Sequence, residues 1–308
     1  MREKQLVSVV MSCYRESPEQ LHQSISSVLN QTYRDLELII ILDDPLNLEL
    51  EQLIQDTASD ARVSFIKNEF NIGLAASLNK GIEKSHGAFI CRMDADDVSD
   101  ESRIDTQLEY LVANELDLVG SYLNVIDEAS RPLYSVNNLP IKPESIKCGL
   151  RFNNCVPHPT WFGRREVFMS GYRMVAYAED YDFILRAIEE GYAIGNVPAP
   201  LLKYRMTEKS ISRSNLYKQY LTQVALTSAF ARQDLRRTDI RQIQEYVDSH
   251  YDEKAARKYA EANELFNRAL NHVRQKNYLA AMLGFAQIPL CSAAYLGKVI
   301  RLFRAAIS

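Results

Sequence analysis

Three carboxylates follow directly after an apolar stretch of the chain. Residues 88–97 read Ala-Phe-Ile-Cys-Arg-Met-Asp-Ala-Asp-Asp, which places Asp94, Asp96 and Asp97 at the end of a predicted buried strand. Like charges at a strand end repel each other unless a cation lies between them. Carboxylate oxygens are ligands that suit Mg²⁺ or Mn²⁺. The pattern therefore predicts a divalent-metal site that meets the phosphates of a substrate, with an acidic surface turn as the simpler interpretation.

Polar residues also follow two other predicted strands. Ser12 and Tyr14 follow the first of them, and Asp44 follows the second. The carboxyl ends of parallel strands share one edge of a sheet, and ligands bind there. A carboxylate accepts a hydrogen bond from the ring N–H of uracil or thymine, and a tyrosine stacks on a base or hydrogen-bonds to it. These residues are therefore candidates for nucleotide binding, although Asp and Pro at 43–45 are also typical of a plain turn.

Glu179 and Asp180 begin a predicted helix. A carboxylate that faces a pocket at a helix start accepts a proton from an attacking hydroxyl, so one of the two is a candidate general base. Acidic residues in a first turn also interact favourably with the helix dipole, which is the structural alternative.

His158 and the single tryptophan, Trp161, lie in a segment where two prolines frame the histidine. The stiff backbone would present both side chains to an acceptor substrate, and we treat them as acceptor-side candidates. A core strand with a structural histidine explains His158 equally well.

Strand-like and helix-like segments alternate through the first half of the chain. Ser17, Pro18 and Gln20 predict a capping box at the start of the first helix. The β-α-β-α order predicts an α/β fold with a Rossmann-like, mostly parallel central sheet that helices cover on both faces.

The pattern becomes helical from about Ser214 to the end. We therefore predict two domains, residues 1–213 and 214–308, with the second contacting an acceptor, a membrane surface or another subunit. Residues 201–213 are basic and hydroxyl-rich, which is consistent with a lid over a diphosphate or with a solvated loop.

Residues 295–308 form a predicted amphipathic helix with Lys298, Arg301 and Arg304 opposite an apolar stripe. Such a helix lies on an anionic membrane surface, or packs on its own domain with the charges in solvent.

The composition is that of a globular protein. The chain has 308 residues, 25% of them charged, and a net charge of −4, which argues against general nucleic-acid binding. Five cysteines without a Cys-x-x-Cys pair fit a reducing cytoplasm and imply no zinc site. A strand begins almost at the N-terminus, so we expect no signal peptide, and no apolar run approaches the ~20 residues that span a bilayer.

Several segments, taken in their order, resemble family 2 glycosyltransferases with the GT-A fold. They are the strand and helix pattern of residues 7–42, Asn71-Ile72-Gly73, residues 79–82 and 93–97, His158-Pro159-Thr160 and Glu179-Asp180. The resemblance covers residues 5–210. It implies an inverting enzyme with a nucleotide-sugar donor and Mn²⁺ or Mg²⁺ as cofactor.

The resemblance also implies roles for single residues. Asp44 looks like the aspartate that reads the base, and Ser12, Tyr14 and Asn79 look like donor contacts. The carboxylates at 94, 96 and 97 resemble the Asp-x-Asp motif that holds metal and ribose. Asp180, with its neighbour Glu179, resembles the catalytic base.

The implied reaction moves a sugar, expected to come from a UDP-hexose, to a hydroxyl of a glycan or lipid-linked glycan in surface-polysaccharide synthesis. The expected location is cytoplasmic, at the inner face of the plasma membrane. Ser12 and Arg15 stand where the family often has Pro and Asn, which bears on the donor. A nucleotidyltransferase is an alternative, but the chain lacks its glycine-rich basic loop near the N-terminus. A non-catalytic sugar-nucleotide-binding protein is another, and the intact acidic motifs argue against it.

Overall fold

A computed structural model describes residues 5–206 and 215–307. The chain divides into two compact units. The sheet unit contains residues 5–147, 154–174 and 186–206, and the helical unit contains residues 148–153, 175–185 and 215–307. Two short segments from the first part of the chain thus group with the helical unit. Most of the predicted lid, residues 207–213, lies outside the described residues.

Nine strands of the described residues form one mixed sheet in the sheet unit. They are β1 (Val7–Cys13), β2 (Leu36–Leu42), β3 (Val63–Lys67), β4 (Phe89–Asp94), β5 (Val98–Ser99), β6 (Leu118–Ile126), β7 (Pro132–Val136), β8 (Phe162–Arg164) and β9 (Ile194–Arg205). Their order is β3-β2-β1-β4-β8-β6-β9-β5, with β7 paired to β6. The first four strands of that order are mutually parallel, as predicted, and β8 runs antiparallel to both β4 and β6.

Helices lie between the strands along the chain, and the first three connect the parallel strands β1 to β4 in turn. They are α1 (Pro18–Leu29), α2 (Leu48–Thr57), α3 (Leu74–Lys84), α4 (Arg103–Ala113), α5 (Pro143–Gly149), α6 (Arg165–Phe168) and α7 (Glu179–Glu189), with a 3₁₀ turn at His158–Thr160. The predicted capping box of α1 is confirmed. The Ser17 hydroxyl accepts a hydrogen bond from the Gln20 N–H, and the Gln20 side chain accepts one from the Ser17 N–H, both at 3.2 Å.

The register of the parallel strands aligns their carboxyl ends. Ser12 of β1 lies opposite Asp94 of β4, and Cys13 lies opposite Leu42 at the end of β2. The buried core beneath these ends is aliphatic, and both β1 and β2 are covered almost throughout. The polar residues that follow the three strands are therefore neighbours at one sheet edge, as the sequence pattern predicts.

Asp43 fastens the end of β2 to the loop before α3. Its carboxylate accepts hydrogen bonds from the N–H groups of Ile72 and Gly73 at 2.9 and 2.8 Å, and from Asn68 Nδ2 at 2.8 Å. Gly73 has a φ of +84°, which glycine adopts without a steric penalty. Asp43 is 3% exposed, so its role is structural and the neighbouring Asp44 remains the candidate for a ligand.

The helical unit contains five further helices in the described residues. They are α8 (Leu216–Ala231), α9 (Ile240–His250), α10 (Glu253–Arg274), α11 (Tyr278–Cys291) and α12 (Ala293–Ile307). The predicted helical character of this part of the chain is confirmed. Tyr259, Ala262, Ile288 and Tyr295 form its buried core.

The predicted amphipathic helix at residues 295–308 corresponds to most of α12, and Ser308 lies outside the described residues. Arg301 donates hydrogen bonds to the Phe152 carbonyl at 2.9 Å and to Thr227 Oγ1 at 3.1 Å. The Lys298 ammonium lies over the rings of Tyr295 and Tyr259, and burial lowers its pKa. Two of the three basic residues therefore belong to the packing of the unit, which corrects the expectation that all three form a solvent-facing row. Among the described helices, none is long and apolar enough to cross a membrane.

Candidate functional site

The three carboxylates of the predicted metal site lie together at the end of β4. Oxygen atoms of Asp94, Asp96 and Asp97 lie within 4.8 Å of one another. A turn holds them, since the Asp97 N–H donates to the Asp94 carbonyl at 3.4 Å and the Ser24 hydroxyl donates to the same carbonyl at 2.9 Å. The backbone, rather than the carboxylates themselves, thus brings the acidic groups close together.

Burial and mutual repulsion make the charged form of this cluster costly. Burial, with the charges of Asp94 and Glu16 beside it, raises the pKa of Asp96 to about 7. Burial and the Asp94 charge raise the pKa of Asp97 well above its usual range. Asp97 Oδ1 accepts the Arg205 N–H at 2.8 Å, while its buried Oδ2 has no hydrogen-bond partner among the described residues. The carboxylates of the cluster therefore have too little positive charge near them and too few hydrogen-bond donors to stabilise their charged forms.

Arg92 provides the counter-charge from inside β4, and the sequence analysis missed this residue. Its guanidinium is buried and pairs with Asp94 through Nη2. Its Nε and Nη1 have no hydrogen-bond partner among the described residues. The signal in the sequence was an arginine within an otherwise apolar strand, because a charged residue is almost never fully buried unless it is paired.

Arg205, at the end of β9, connects the acidic turn to a distant hairpin loop and was also missed. Its Nε donates to the Asp96 carbonyl at 2.7 Å. Its Nη1 donates to the carbonyls of Asp127 and Glu128 at 3.2 and 3.1 Å, and its Nη2 to Gln23 Oε1 at 3.0 Å. Arg205 therefore fixes the acidic turn through the backbone of Asp96, without neutralising a carboxylate of the cluster directly.

Glu16 adds a fourth carboxylate near the cluster. It accepts the Tyr14 N–H at 2.7 Å, and burial raises its pKa, with the Asp94 charge adding to the effect. This bond fixes the loop after β1 that carries Tyr14. Nothing in the local sequence pattern distinguished Glu16 from a solvated loop residue.

The donor set fits a divalent cation of the Mg²⁺ or Mn²⁺ type. All the groups are carboxylate oxygens, one buried oxygen of Asp97 is orphaned, and the pKa values of two members are raised in the absence of added positive charge. A cation at this position would satisfy the orphaned oxygen and relieve the repulsion. The fit supports the metal hypothesis, which stays a prediction.

Asp44 and Tyr14 are linked by a third side chain at the same sheet edge. The Arg15 Nε lies 3.4 Å from Asp44 Oδ2, and its guanidinium carbon lies 4.6 Å from the centre of the Tyr14 ring. The side chain of Arg15 is 70% exposed, so this ion pair is weak and easily displaced. Asp44 is thus available to a ligand that competes with Arg15.

Asn79, expected among the donor contacts, is used differently. Its Nδ2 donates to the Tyr172 carbonyl at 2.8 Å, and its Oδ1 accepts the Tyr172 N–H at 2.7 Å. Both ends of the amide hold the chain at Tyr172. The amide is thus engaged within the sheet unit, and the role of Asn79 in donor binding stays a prediction.

The acceptor-side candidates His158 and Trp161 belong to a buried aromatic cluster. Trp161 is 0% exposed, and its indole N–H donates to the Val156 carbonyl at 3.0 Å. His158 Nε2 lies 2.8 Å from the Tyr172 hydroxyl, and burial, together with the Arg92 charge, lowers the pKa of His158 well below its usual value. Trp161 is therefore part of the buried core, and burial favours the neutral form of His158. Contact of either residue with an acceptor stays a prediction.

Glu179 and Asp180 lie in the first turn of α7, as predicted, in the part of that helix that belongs to the helical unit. Asp180 Oδ1 accepts the Tyr181 N–H at 2.7 Å. Tyr177, just before the helix, has a φ of +66°, an uncommon value for a residue with a side chain. Both carboxylates are partly buried. Their role in proton transfer stays a prediction.

Comparison with known proteins shows the family to which the sequence is similar. Residues 8–171 match the family described as "Glycosyl transferase family 2". An uncharacterized glycosyltransferase, MJ1057, of Methanocaldococcus jannaschii is 34% identical over 71% of this chain and 77% of its own length. The O-antigen biosynthesis glycosyltransferase WbnJ of Escherichia coli is 35% identical over 68% of this chain and 84% of its own length. The amylovoran biosynthesis glycosyltransferase AmsE of Erwinia amylovora is 27% identical over 72% and 84%.

One solved structure supports the fold. The crystal structure of S. aureus TarS 1–349 superposes with a TM-score of 0.57, covering 97% of this chain and 89% of that chain at 14% sequence identity. At this identity the likeness concerns the fold alone, and it agrees with the predicted GT-A architecture.

The raised pKa of Asp96 makes stability fall as pH rises. A carboxyl whose folded pKa of about 7 exceeds its unfolded value stabilises the fold fully below about pH 4, and this contribution is lost as pH rises through 7. We expect the melting temperature in chelator to fall between pH 5 and 8, and to fall less steeply in Asp96→Asn. One titrating group contributes up to about 1.4 kcal/mol per pH unit. Glu49→Gln, at an exposed helix position, is the control, and an equal slope in wild type and Asp96→Asn would contradict the assignment.

Proposed function

Since the chain belongs to glycosyl transferase family 2, and is therefore a glycosyltransferase, we propose that it is an inverting, metal-dependent enzyme. It moves a sugar from a nucleotide-sugar donor to a hydroxyl of a glycan or lipid-linked glycan. The observation that carries the proposal is the cluster of carboxylates formed by Asp94, Asp96 and Asp97 at the edge where the parallel strands end. The expected donor is a UDP-hexose.

The donor nucleotide lies along the sheet edge in this proposal. Asp44 accepts the ring N–H of the base, and Tyr14 contacts the base through its ring or hydroxyl. Ser12, in register with Asp94, stands between these groups and the acidic cluster. Arg15 leaves Asp44 when the base binds, which its exposure permits.

Asp94, Asp96 and Asp97 hold the divalent ion in this proposal. When bound, the ion supplies positive charge that offsets the charge developing on the leaving diphosphate. Arg92 pairs with Asp94 from inside β4, and Arg205 keeps the turn in place through the Asp96 carbonyl. The chain thus supplies a preorganised anionic pocket of fixed geometry.

The transfer is a single displacement. The acceptor oxygen forms a bond to the anomeric carbon as the bond from that carbon to the diphosphate oxygen breaks, with the diphosphate departing on the opposite face. Asp180 accepts the proton of the acceptor hydroxyl, with Glu179 as its neighbour and the alternative base. Attack opposite the leaving group inverts the configuration of the sugar.

The process served is surface-polysaccharide synthesis. This part of the proposal is supported by the relatives that are named as O-antigen and amylovoran biosynthesis enzymes. It names the process and not the sugar or the acceptor, because one fold serves many sugars and acceptors.

Metal-dependent donor hydrolysis is the first test of the proposal. Mass spectrometry of a panel of nucleotide sugars incubated with the full chain should show release of one nucleoside diphosphate in Mn²⁺ or Mg²⁺ and none in chelator. Asp96→Asn should lower the rate by about 10²-fold or more, since it removes charge from the metal site. Full activity in chelator would show that the metal role is wrong.

The catalytic base is tested by separating binding from chemistry. Asp180→Asn should lower kcat by about 10²–10⁴-fold and leave the donor affinity near the wild-type value, because a base acts only in the transition state. Glu179→Gln is the matched variant one residue away. If Glu179→Gln proves more damaging, the two roles are exchanged. A loss of donor binding in Asp180→Asn with nearly normal turnover would rule out the base role.

The adjacent aspartates after β2 should respond differently to substitution. Asp44→Ala should raise the donor KM about tenfold with little change in kcat or melting temperature, because contact with the base is made equally before and during reaction. Asp43→Ala should lower the melting temperature, because it leaves the N–H groups of Ile72 and Gly73 without their acceptor. Calorimetry with the nucleoside diphosphate and thermal unfolding distinguish the two effects. Unchanged nucleotide affinity in Asp44→Ala would contradict its role.

A further inference from the structure

The helix α11 is apolar on the side that faces solvent as well as on the side that packs. Ala281 and Ile288 are its buried residues, packed within the helical unit. Its outer side carries a set of exposed apolar side chains that we call the α11 apolar face: Tyr278, Leu279, Met282, Leu283 and Leu290, exposed by 66%, 68%, 65%, 56% and 87%. A surface helix normally carries polar residues on its outer side, so this face is without the partner that its composition implies.

The α11 apolar face continues onto the end of the preceding helix. Leu270 and Val273, in the last turns of α10, are 36% and 39% exposed. α10 and α11 approach each other closely, since a Cβ added to Gly284 would lie 3.0 Å from the Ala269 Cβ. The end of α10 and the start of α11 therefore both carry exposed apolar side chains, and the two helices pack against each other.

The chain around α11 is rich in basic residues, with Glu261 of α10 beside Cys291 at the C-terminal end of α11. No residue between Lys276 and Lys298 is charged, and the chain has no Asp or Glu after Glu264. The basic residues after Glu264 are Arg268, Arg274, Lys276, Lys298, Arg301 and Arg304. In a chain with a net charge of −4, this end is a local excess of positive charge. Arg268, Arg274 and Lys276 are exposed, next to the apolar residues of α10 and α11.

We propose that the α11 apolar face docks in the plane of an anionic lipid bilayer. Apolar side chains flanked by exposed basic residues match a surface that is apolar below and negatively charged at its headgroups. A second copy of the chain fits less well, because a two-fold contact through this face would bring the same exposed basic residues together. α11 has 14 residues, about 21 Å at 1.5 Å per residue, which suits insertion in the plane rather than across the bilayer.

This assignment is independent of the sugar donor and differs from the one that the sequence suggested. The basic residues of α12 that the sequence pointed to are partly used in packing, Arg301 on Phe152 and Thr227 and Lys298 on the tyrosine rings. The residues of the α11 apolar face, in contrast, are exposed. The docking element is thus α11 with the end of α10.

Vesicle sedimentation with the full chain tests the proposal. Wild type should pellet with vesicles of phosphatidylglycerol and phosphatidylcholine at low salt, and at least tenfold less with phosphatidylcholine alone. Leu279→Gln, Met282→Gln and Leu283→Gln combined should weaken binding to the anionic vesicles at least tenfold. The matched control, Leu133→Gln with Met169→Gln, changes side chains of the sheet unit that are 51% and 59% exposed and should bind as wild type.

Fluorescence provides a second readout that does not depend on the stability of the triple variant. The single native tryptophan, Trp161, is buried, so its emission should not respond to lipid. Met282→Trp should show a blue shift with anionic vesicles and quenching by brominated acyl chains. Failure of wild type to bind anionic vesicles at low salt overturns the proposal, as does an unshifted Met282→Trp spectrum. A dimer in sedimentation velocity that the triple variant abolishes, without lipid binding, would assign the face to a second copy.

Discussion

Three carboxylates share the end of β4 because a buried guanidinium stands behind them in the same strand. Arg92 pairs with Asp94, yet two of its nitrogens have no partner among the described residues, and Asp97 keeps an orphaned oxygen. Removing one member of a buried ion pair leaves the other charge uncompensated, which destabilises the fold. Arg92 and the acidic cluster therefore depend on each other for stability. Backbone hydrogen bonds hold the acidic turn, and the Arg92 guanidinium supplies positive charge beside it.

The rest of the sheet unit supports that edge through backbone hydrogen bonds. Arg205, at the end of β9, binds the Asp96 carbonyl and the hairpin loop at 127–128. Strand β9 therefore holds the turn at the end of β4. Asp43 performs the same task for the loop before α3. In both cases a buried charge satisfies main-chain groups that have no partner in a strand or helix, which costs less than leaving them unpaired. The side chains left for a ligand, such as Asp44, are those that this framework does not use.

The helical unit has a buried core on one side of α11 and exposed apolar side chains on the other. Its core residues, Tyr259, Ile288 and Tyr295, bury one side of the hairpin formed by α10 and α11. The other side of α11 remains apolar, and Arg268, Arg274 and Lys276 of the neighbouring chain are exposed. A unit stabilised only by its own packing has no need of such a surface, since exposed Leu and Met at these positions contribute little to folding.

The sequence by itself determined the strand and helix order, the capping box of α1 and the acidic residues at the strand ends, because periodicity, capping and charge are properties of neighbouring residues. Family resemblance carried the assignment to glycosyltransferases. Tertiary structure decided which polar residues are structural. Asp43 and Asp44 are adjacent and identical, yet only Asp43 meets the loop some thirty residues later. Trp161 is buried, Asn79 binds the Tyr172 backbone, and α11 exposes large apolar side chains. These outcomes depend on contacts between segments far apart in the chain, which no local pattern encodes.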